Sequence, residues 1–579
     1  MKVLQKQTLL VFLLLLILSV PALKSLTIPG LYTSHDGETH TARIAQYYQA
    51  LTDGQFPPRF AGTFYSGLGS PIFVYIYPIP YAISSVWHFL GANFSDSFKI
   101  TMALSFIFSG LFTYLWLKEL LKSPRGALAG AIFYIFVPYR FSLIYVRASI
   151  SEMVAYVFVP LALYLFTKLI DSENPKYISL AAISIGLILL SQNLVALLCL
   201  PVICTYVLLI SFRNNLLKNL FYSSVAIAWG VALSSITYLP VFFERKFVRL
   251  DGVLNNAYVS HFVSLDQLIH SPWGYGFDMP GSLNDQMSFQ IGLIQIVVLL
   301  ISIVLLGLSL LKFKFLNRLI NTLGKREFLF TLFFLFVFFG SVLLMLDIPL
   351  TYKIWDKFRQ LAIIDLPWRF LGLTSLSAAF LAAIVVKSIK QGMFLIILIA
   401  LVIIANRNHA RINQQRLLTD DFFLNYTDTA TQYSEFAPKW RQTTRVPIYF
   451  DSKDKAEYYQ GEGSFSVTKA NSKFVSLNAD VKSEKAFIII HKFYFPGVQI
   501  TLDGNKLAAN KEYEITDPQN VLLDSEKDLS GLPKIPITKG FHQITMEYKE
   551  TYLRLFANLV TAFSLVLAVS FSLFYAKRH

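Results

Sequence analysis

The run Ser34-His35-Asp36-Gly37-Glu38-Thr39-His40-Thr41-Ala42-Arg43 holds two carboxylates, two imidazoles and a guanidinium. It follows a Leu-rich stretch ending near Leu26, so these groups sit at the edge of an apolar span. A carboxylate at such a boundary is partly desolvated, and becomes more basic or holds a cation. Asp36 and Glu38 are two apart and share a face in an extended loop. With His35 or His40 they could clamp a divalent cation such as Mg or Mn. The plainer alternative is a solvated loop capping a helix over 40–53, with Asp36 or Thr39 as N-cap. Glycines, prolines and aromatics then interleave from Gly54 through Pro57, Pro58, Gly67, Gly69 and Pro71 to Tyr77 and Pro78. They suggest a defined irregular surface above the bilayer, or an interfacial aromatic belt.

Membrane helices are the elements that must position these groups. Of 579 residues, 54% are hydrophobic and 15% charged, where soluble domains run near a quarter charged. Apolar blocks of spanning length follow the N-terminal one at roughly 98–121, 126–144, 152–170, 176–191, 194–211, 219–243, 290–311, 327–347, 366–387, 391–406 and 553–576. That makes about 12 spans. The first, with Lys2 and Lys6 ahead of it, reads as an uncleaved helix in preference to a signal peptide. The net charge of +15 reads as basic cytoplasmic loops, not as a nucleic-acid surface. Lys118, Lys122, Arg125, Arg213, Lys218, Lys312, Lys314, Arg318, Lys387 and Lys390 all fall inside if both termini are cytoplasmic and 70–90 does not cross. Pro71, Pro78 and Pro80 argue against a span there, so 70–90 is expected as interfacial or re-entrant helix. The segments 27–97, 140–151, 192–193, 244–289, 348–365 and 407–552 then lie together outside. Cys199 and Cys204 share one apolar stretch and give no disulfide or metal framework.

Period-2 alternation replaces the apolar blocks between about Arg407 and Tyr552. Val475, Leu477, Ala479 and Val481 alternate with Ser476, Asn478, Asp480 and Lys482, the pattern of a half-buried strand. Strands are also expected at Phe487–Ile490, Val498–Leu502 and Ile544–Tyr548, with a turn at Asp503-Gly504. The expected domains are therefore 1–406, membrane-embedded and including the outer loop 27–97; 407–552, an extracytoplasmic β-sandwich-like unit; and 553–579, a last helix and tail.

In order along the chain stand His35-Asp36-Gly37, His40, Arg43, Gly54, Pro57-Pro58-Arg59, Gly67, Gly69, Pro71 and Tyr77-Pro78. Arg147 with Glu152, Ser191-Gln192-Asn193, Met287-Ser-Phe-Gln-Ile-Gly292, Leu366-Pro-Trp-Arg-Phe370 and Glu435-Phe-Ala-Pro-Lys-Trp440 follow. This series resembles the bacterial "6-pyruvoyl-tetrahydropterin synthase-related" membrane proteins, placed among GT-C-type glycosyltransferases. Tyr494-Phe-Pro-Gly497 with Asp503-Gly504 resembles the C-terminal domain of YfhO-type proteins. Gln192 departs from the pattern, where a His is expected. The pterin label finds no counterpart, since no soluble His-rich zinc site is present.

The resemblance implies a GT-C-like fold of about 12 transmembrane helices with an extracytoplasmic β-domain. It also implies a polyprenyl-phosphate-linked sugar donor and an acidic residue in the first outer loop, a place Asp36 matches. Glu38 would assist it or hold the metal. The acceptor would be an extracytoplasmic glycan, lipid or protein at a bacterial plasma membrane, bound or positioned by the β-domain. A carboxylate within reach of an acceptor hydroxyl can take its proton. Arg43, Arg59, Arg147 and Arg369 are candidates for the departing phosphate, because guanidinium pairs with phosphate through two hydrogen bonds. The alternatives are that Arg59 and Arg369 snorkel to headgroups and that Arg147 pairs with Glu152. Glu152 either caps its helix or adds a second site carboxylate, and Asp365 is similar. Trp273, Tyr275 and Asp278 would line a sugar site or pack a loop, with His35 and His40 also against the substrate. No Walker, Rossmann, zincin or nucleophile-elbow motif stands in a convincing context. The rival expectations are a transporter or flippase of lipid-linked sugars, and a glycan-binding envelope scaffold.

Overall fold

The computed structural model describes residues 2–212, 215–250, 257–281, 286–311, 323–389, 391–429, 431, 434–441, 455–517 and 528–578. Arg213, Lys312, Lys314, Arg318 and Lys390 lie outside the described residues. Among those described, ten helices are long and apolar enough to cross a membrane, from Gln7–Thr27 to Tyr552–Ala576.

Three of the expected blocks fold differently. Block 126–144 is two helices, Pro124–Ile135 and Pro138–Val146, bent by 46°. Pro138 has no N–H to donate into the turn before it. The Phe136 carbonyl at the break accepts instead from Asn406 Nδ2 at 2.9 Å and Gln295 Nε2 at 3.3 Å, both buried amides. Such replacement partners are what non-helical backbone inside a bundle requires. Block 176–191 is the 14-residue helix Lys176–Leu189, roughly 21 Å at 1.5 Å per residue and shorter than a ~30 Å hydrocarbon core. Block 219–243 divides at Ser234 into Leu216–Leu233 and Ser235–Glu244. Segment 70–90 forms the short helices Ile72–Tyr75 and Ile79–Phe89, neither of spanning length.

Basic residues gather at one end of the bundle. Lys168 pairs with Glu119 at 2.9 Å, Lys122 with Asp171 at 3.8 Å, and Lys387 with Glu327. The opposite end carries the Gly37–Thr52 helix, the irregular loops and the sheet.

Among the described residues the C-terminal domain is one seven-stranded antiparallel sheet. The two expected strands between 475 and 490 are a single strand, Phe474–Ile490, paired along its length with Pro533–Tyr548. Register breaks between Val481 and Lys485, where a bulge bends both strands. Leu477 and Ile544 before the break share one apolar cluster with Ile488 and Ile535 beyond it. A folded-over sheet thus does what two stacked sheets were expected to do. Asp503 and Gly504, with φ of +52° and +82°, make the two-residue hairpin turn between Leu502 and Asn505.

Among the described residues the first strand of this sheet starts at Ala456. Residues 410–429 and 434–441 belt the outer loops. Gln415 and Arg416 pair with Tyr32 and Leu31, Gln46 donates to the Leu424 carbonyl at 3.0 Å, and Thr63 to that of Tyr426 at 2.8 Å.

Two arginines weld the sheet to the last helix. Arg554, fully buried, meets Glu244 at 2.8 Å and donates to the Pro496 carbonyl at 2.9 Å. Gly497, at φ +104°, lies so close to the Lys549 carbonyl that a Cβ would sit 2.2 Å from it. The Tyr494–Gly497 motif is therefore an anchor. Arg59 meets Glu550 at 3.0 Å, Asn558 Oδ1 at 2.8 Å and the Ile236 carbonyl at 3.0 Å. On the other flank Ser472 donates its N–H to Asp53 at 2.8 Å, and Lys473 reaches the Gly54 carbonyl.

Breaking a buried ion pair strands one charge and costs about 3–5 kcal/mol. Arg554→Leu is expected to destabilise the fold in detergent by that order, read as a fall in melting temperature, with much of it recovered in the double variant with Glu244→Leu. Lys492 is buried in the sheet's docking surface, its Nζ donating to the Asn471 carbonyl at 2.9 Å. Burial first, then Lys455, pushes its amine down to about 7. Between that pH and the ordinary lysine value near ~10.4, the unfolded chain binds a proton the folded one has shed. Stability therefore rises with pH across that window. Thermal unfolding should show this rise in the wild type and a flatter profile in Lys492→Met.

Candidate active site

A cavity of about 720 Å³ opens at the end of the bundle opposite the basic cluster. Its floor is built by two chain reversals locked together. The His35 N–H donates to the Val146 carbonyl and the Asp36 N–H to that of Arg147, both at 2.9 Å. Gly37 permits this approach, since a Cβ there would lie 2.5 Å from Ser34 Oγ and 3.2 Å from the Ala148 Cβ. Ala148 itself holds φ of +55°, an uncommon conformation for an L residue that tends to cluster at functional sites. It turns the chain from the Ser142–Val146 turn into the Ile150–Ser172 helix.

Glu152 lies in the first turn of that helix, 1% exposed. Its carboxylate takes the Arg147 guanidinium at 2.5 Å, Arg369 Nε at 3.5 Å and the Tyr139 hydroxyl at 2.9 Å. Arg369 also pairs with Asp365, and Arg147 lies over the Trp368 ring at 4.8 Å. Both guanidiniums line the cavity.

Asp36 stands before the Gly37–Thr52 helix as N-cap, yet its side chain makes no capping bond. The carboxylate is 46% exposed to the cavity, 4.0 Å from Arg147 Nη2. A half-wet carboxylate beside a buried guanidinium can accept a proton while cationic charge stays close by. His40, one turn into the helix, meets the Tyr81 hydroxyl at 3.0 Å, and Arg43 meets the same oxygen at 3.2 Å. Burial, then Arg43 and Arg147, holds His40 well below its usual pKa. Its imidazole is neutral and positions Tyr81.

The loop 275–278 closes one side. His35 Nε2 donates to the Gly276 carbonyl at 2.6 Å, and Trp368 Nε1 to that of Asp278 at 3.0 Å. The belt closes the other with Asp428 and Glu435.

Of the residues singled out from sequence, His35, Asp36, His40, Arg43, Arg147, Glu152, Tyr275, Asp278 and Arg369 meet at this cavity. Three do not. Arg59 is spent on Glu550 and Asn558 in the weld. The Glu38 carboxylate is taken by Arg416 of the belt. Trp273 stacks on His409 at 4.3 Å between ring centres. The two carboxylates of the expected divalent clamp face different cations, Glu38 toward Arg416 and Asp36 toward Arg147. Among the described residues no three or more His, Cys, Asp or Glu side chains are grouped to hold a metal ion. Gln192 caps the Asn193–Ser211 helix, accepting from the Val195 N–H at 3.0 Å, and also lines the cavity. Sequence reasoning missed Tyr139 and Tyr81, which lie inside apolar segments, and Asp428, which stands in no motif.

A family model described as "6-pyruvoyl-tetrahydropterin synthase related domain; membrane protein" matches residues 73–413. An uncharacterised protein of Lactococcus lactis subsp. cremoris is 26% identical over 224 residues, 37% of this chain and 36% of the relative. The chain thus spans about a third of the length of that curated relative. Arabinofuranosyltransferase AftD from Mycobacteria is similar over 70% of this chain and 26% of its own, with a TM-score of 0.40 and 12% identity. ArnT from Cupriavidus metallidurans, solved bound to undecaprenyl phosphate, is similar over 65% of this chain and 77% of its own, with a TM-score of 0.30 and 11% identity.

Glu152→Gln keeps the shape of its side chain and removes the charge two buried guanidiniums share. It is expected to cost about 3 kcal/mol or more, read as a fall in melting temperature. Glu38→Gln, whose partner pair is 28% and 43% exposed, is expected to cost less than about 1 kcal/mol.

Proposed function

The chain belongs to the 6-pyruvoyl-tetrahydropterin synthase-related family of membrane proteins, and from that premise we propose that it is a membrane glycosyltransferase using a polyprenyl-phosphate-linked sugar. The observation that carries the reading is the Asp36 carboxylate facing the same cavity as the buried Arg147 and Arg369 guanidiniums. A lipid-linked donor presents its phosphate at headgroup depth, where a pocket just above the first helix can reach it. Arg147 and Arg369, with Arg43 nearby, hold the phosphate and take up its charge as it departs. Asp36 accepts the proton of an acceptor hydroxyl as that oxygen attacks the anomeric carbon. The bond from that carbon to the phosphate oxygen breaks, and polyprenyl phosphate leaves with the bonding pair. Attack opposite the leaving group inverts the anomeric centre. Glu152 keeps both arginines charged and aimed.

In this reading the cavity end faces the outside of a bacterial plasma membrane, with the basic cluster on the cytoplasmic side. The acceptor, a glycan, lipid or protein, enters between the 275–278 loop and the acidic belt. The arginines carry the phosphate charge, so no step is routed through a metal ion.

One observation favours a second reading. The bend at Pro138 and the buried Arg140, held between the Tyr134 and Tyr156 rings at 4.4 Å each, make a broken charged helix of the kind transporters use.

Wild type and Asp36→Asn in lipid nanodiscs, given a panel of polyprenyl-phosphate sugars and a membrane glycolipid extract, separate the readings by mass spectrometry. Loss of sugar from one donor is expected in the wild type and reduced by roughly 10²–10⁴-fold in Asp36→Asn, the usual weight of a general base. EDTA should leave turnover unchanged. Normal turnover by Asp36→Asn would remove the base from Asp36. Counterflow of an intact lipid-linked sugar in liposomes, unaffected by the substitution, would favour transport.

A further inference from the structure

A second cavity, of about 580 Å³, lies on the outer face of the C-terminal sheet. Strand register arranges its side chains in two rows across three adjacent strands. Ser466 pairs with Asn478 and Asn478 with Gln543, while Ser464 pairs with Asp480 and Asp480 with Phe541. The alternating residues Leu477, Ala479, Val481 and Ile544 are buried in the domain core, so both rows point away from it. Strand spacing sets neighbours within a row about 4.7–4.9 Å apart. One rim is fixed by Asp503, whose carboxylate takes His542 Nδ1 at 2.7 Å and the Gln543 N–H at 2.8 Å.

Phe541 is 84% exposed. At this point its strand is paired with Asp480 of the Phe474–Ile490 strand, so the ring stands on a paired strand. Folding gains nothing from a phenyl group left in water, and a lone ring is too small for a lipid-binding patch. Charge narrows the ligand further. Among the described residues no Lys or Arg lines the trough, while Asp480 and Asp503 do, the latter paired with His542. The carboxylates disfavour phosphate, nucleic acid and acidic headgroups. The remaining polar groups are hydroxyls, amides and the His542 imidazole, which donate and accept beside the Asp480 carboxylate.

We propose that this trough binds a neutral oligosaccharide. The C–H face of one ring stacks on Phe541, and its hydroxyls reach Asn478, Gln543 and Asp480. The inference stands on the sheet and needs no donor chemistry, so it survives or falls separately from the transfer reaction. Should both hold, the trough grips a growing glycan beyond the cavity in which the new bond forms.

The test uses full-length protein in nanodiscs and fluorescein-labelled neutral hexasaccharides of glucose, mannose, galactose and rhamnose, followed by fluorescence anisotropy. Saturable binding of at least one is expected in the wild type. Phe541→Ala should weaken it by roughly tenfold or more, the loss of a stacked ring, with an unchanged melting temperature because the ring is exposed. Asn478→Ala should weaken it too. Lys539→Ala, which alters only an exposed pair with Glu484, should bind as wild type. Absence of binding to all four probes, or equal binding by Phe541→Ala, would overturn the proposal.

Discussion

A carboxylate buried where a membrane helix meets its outer loops keeps its charge only with cations against it, and Glu152 has two. Arg147 and Arg369 converge on it from different parts of the chain, one beside the Ala148 reversal and the other in the turn before the Leu371–Ser388 helix. Neither guanidinium would tolerate such burial unpaired. Their convergence is what makes the site: two guanidiniums share one carboxylate at its centre, and Asp365 and Asp36 meet them from the rim.

The same network ties the site to the rest of the outer layer. Asp36 is held by backbone bonds to the Arg147 loop, and its helix ends at Asp53, which receives the Ser472 N–H of the C-terminal domain. A rigid helix of 16 residues therefore connects the proposed base to the docked sheet. Residues 410–429 and 434–441 form a second connection, pairing with Leu31 and Tyr32 and lining the cavity wall. The sheet thus has two covalent and hydrogen-bonded paths to the site. The weld at Arg59 and Arg554 anchors the opposite side of the domain to the last membrane helix.

How far the sequence foretells all this depends on the range of each interaction. Apolar block lengths answer to one local constraint, the thickness of a bilayer, and ten of those blocks appear as spanning helices. Alternation at 475–482 answers to another, the pleat of a strand, and that strand is there. The family resemblance, read from ordered motifs, agrees with the family match. Arg147 and Glu152 are five residues apart, so their pairing could be weighed in advance. Arg59 was legible only as a guanidinium among aromatics, because its partner Glu550 is 491 residues away. Glu38 and Arg416 are 378 residues apart, and nothing near Glu38 betrays that its charge is spent. Tyr139 and Tyr81 look apolar by context, since their hydroxyls matter only once folded against Glu152, His40 and Arg43. The bulge that turns one sheet into a closed core likewise has no local sign beyond the polar run Lys482–Lys485.

The central claim is that the Arg147 and Arg369 guanidiniums receive the phosphate of a lipid carrier beside Asp36. A cryo-electron microscopy structure in nanodiscs with a polyprenyl phosphate added tests it most directly. The account predicts phosphate density within hydrogen-bond distance of both guanidiniums, with the lipid chain leading from the cavity toward the bilayer. Phosphate density at another site on the protein, or a carrier bound with Arg147 and Arg369 untouched, would contradict it.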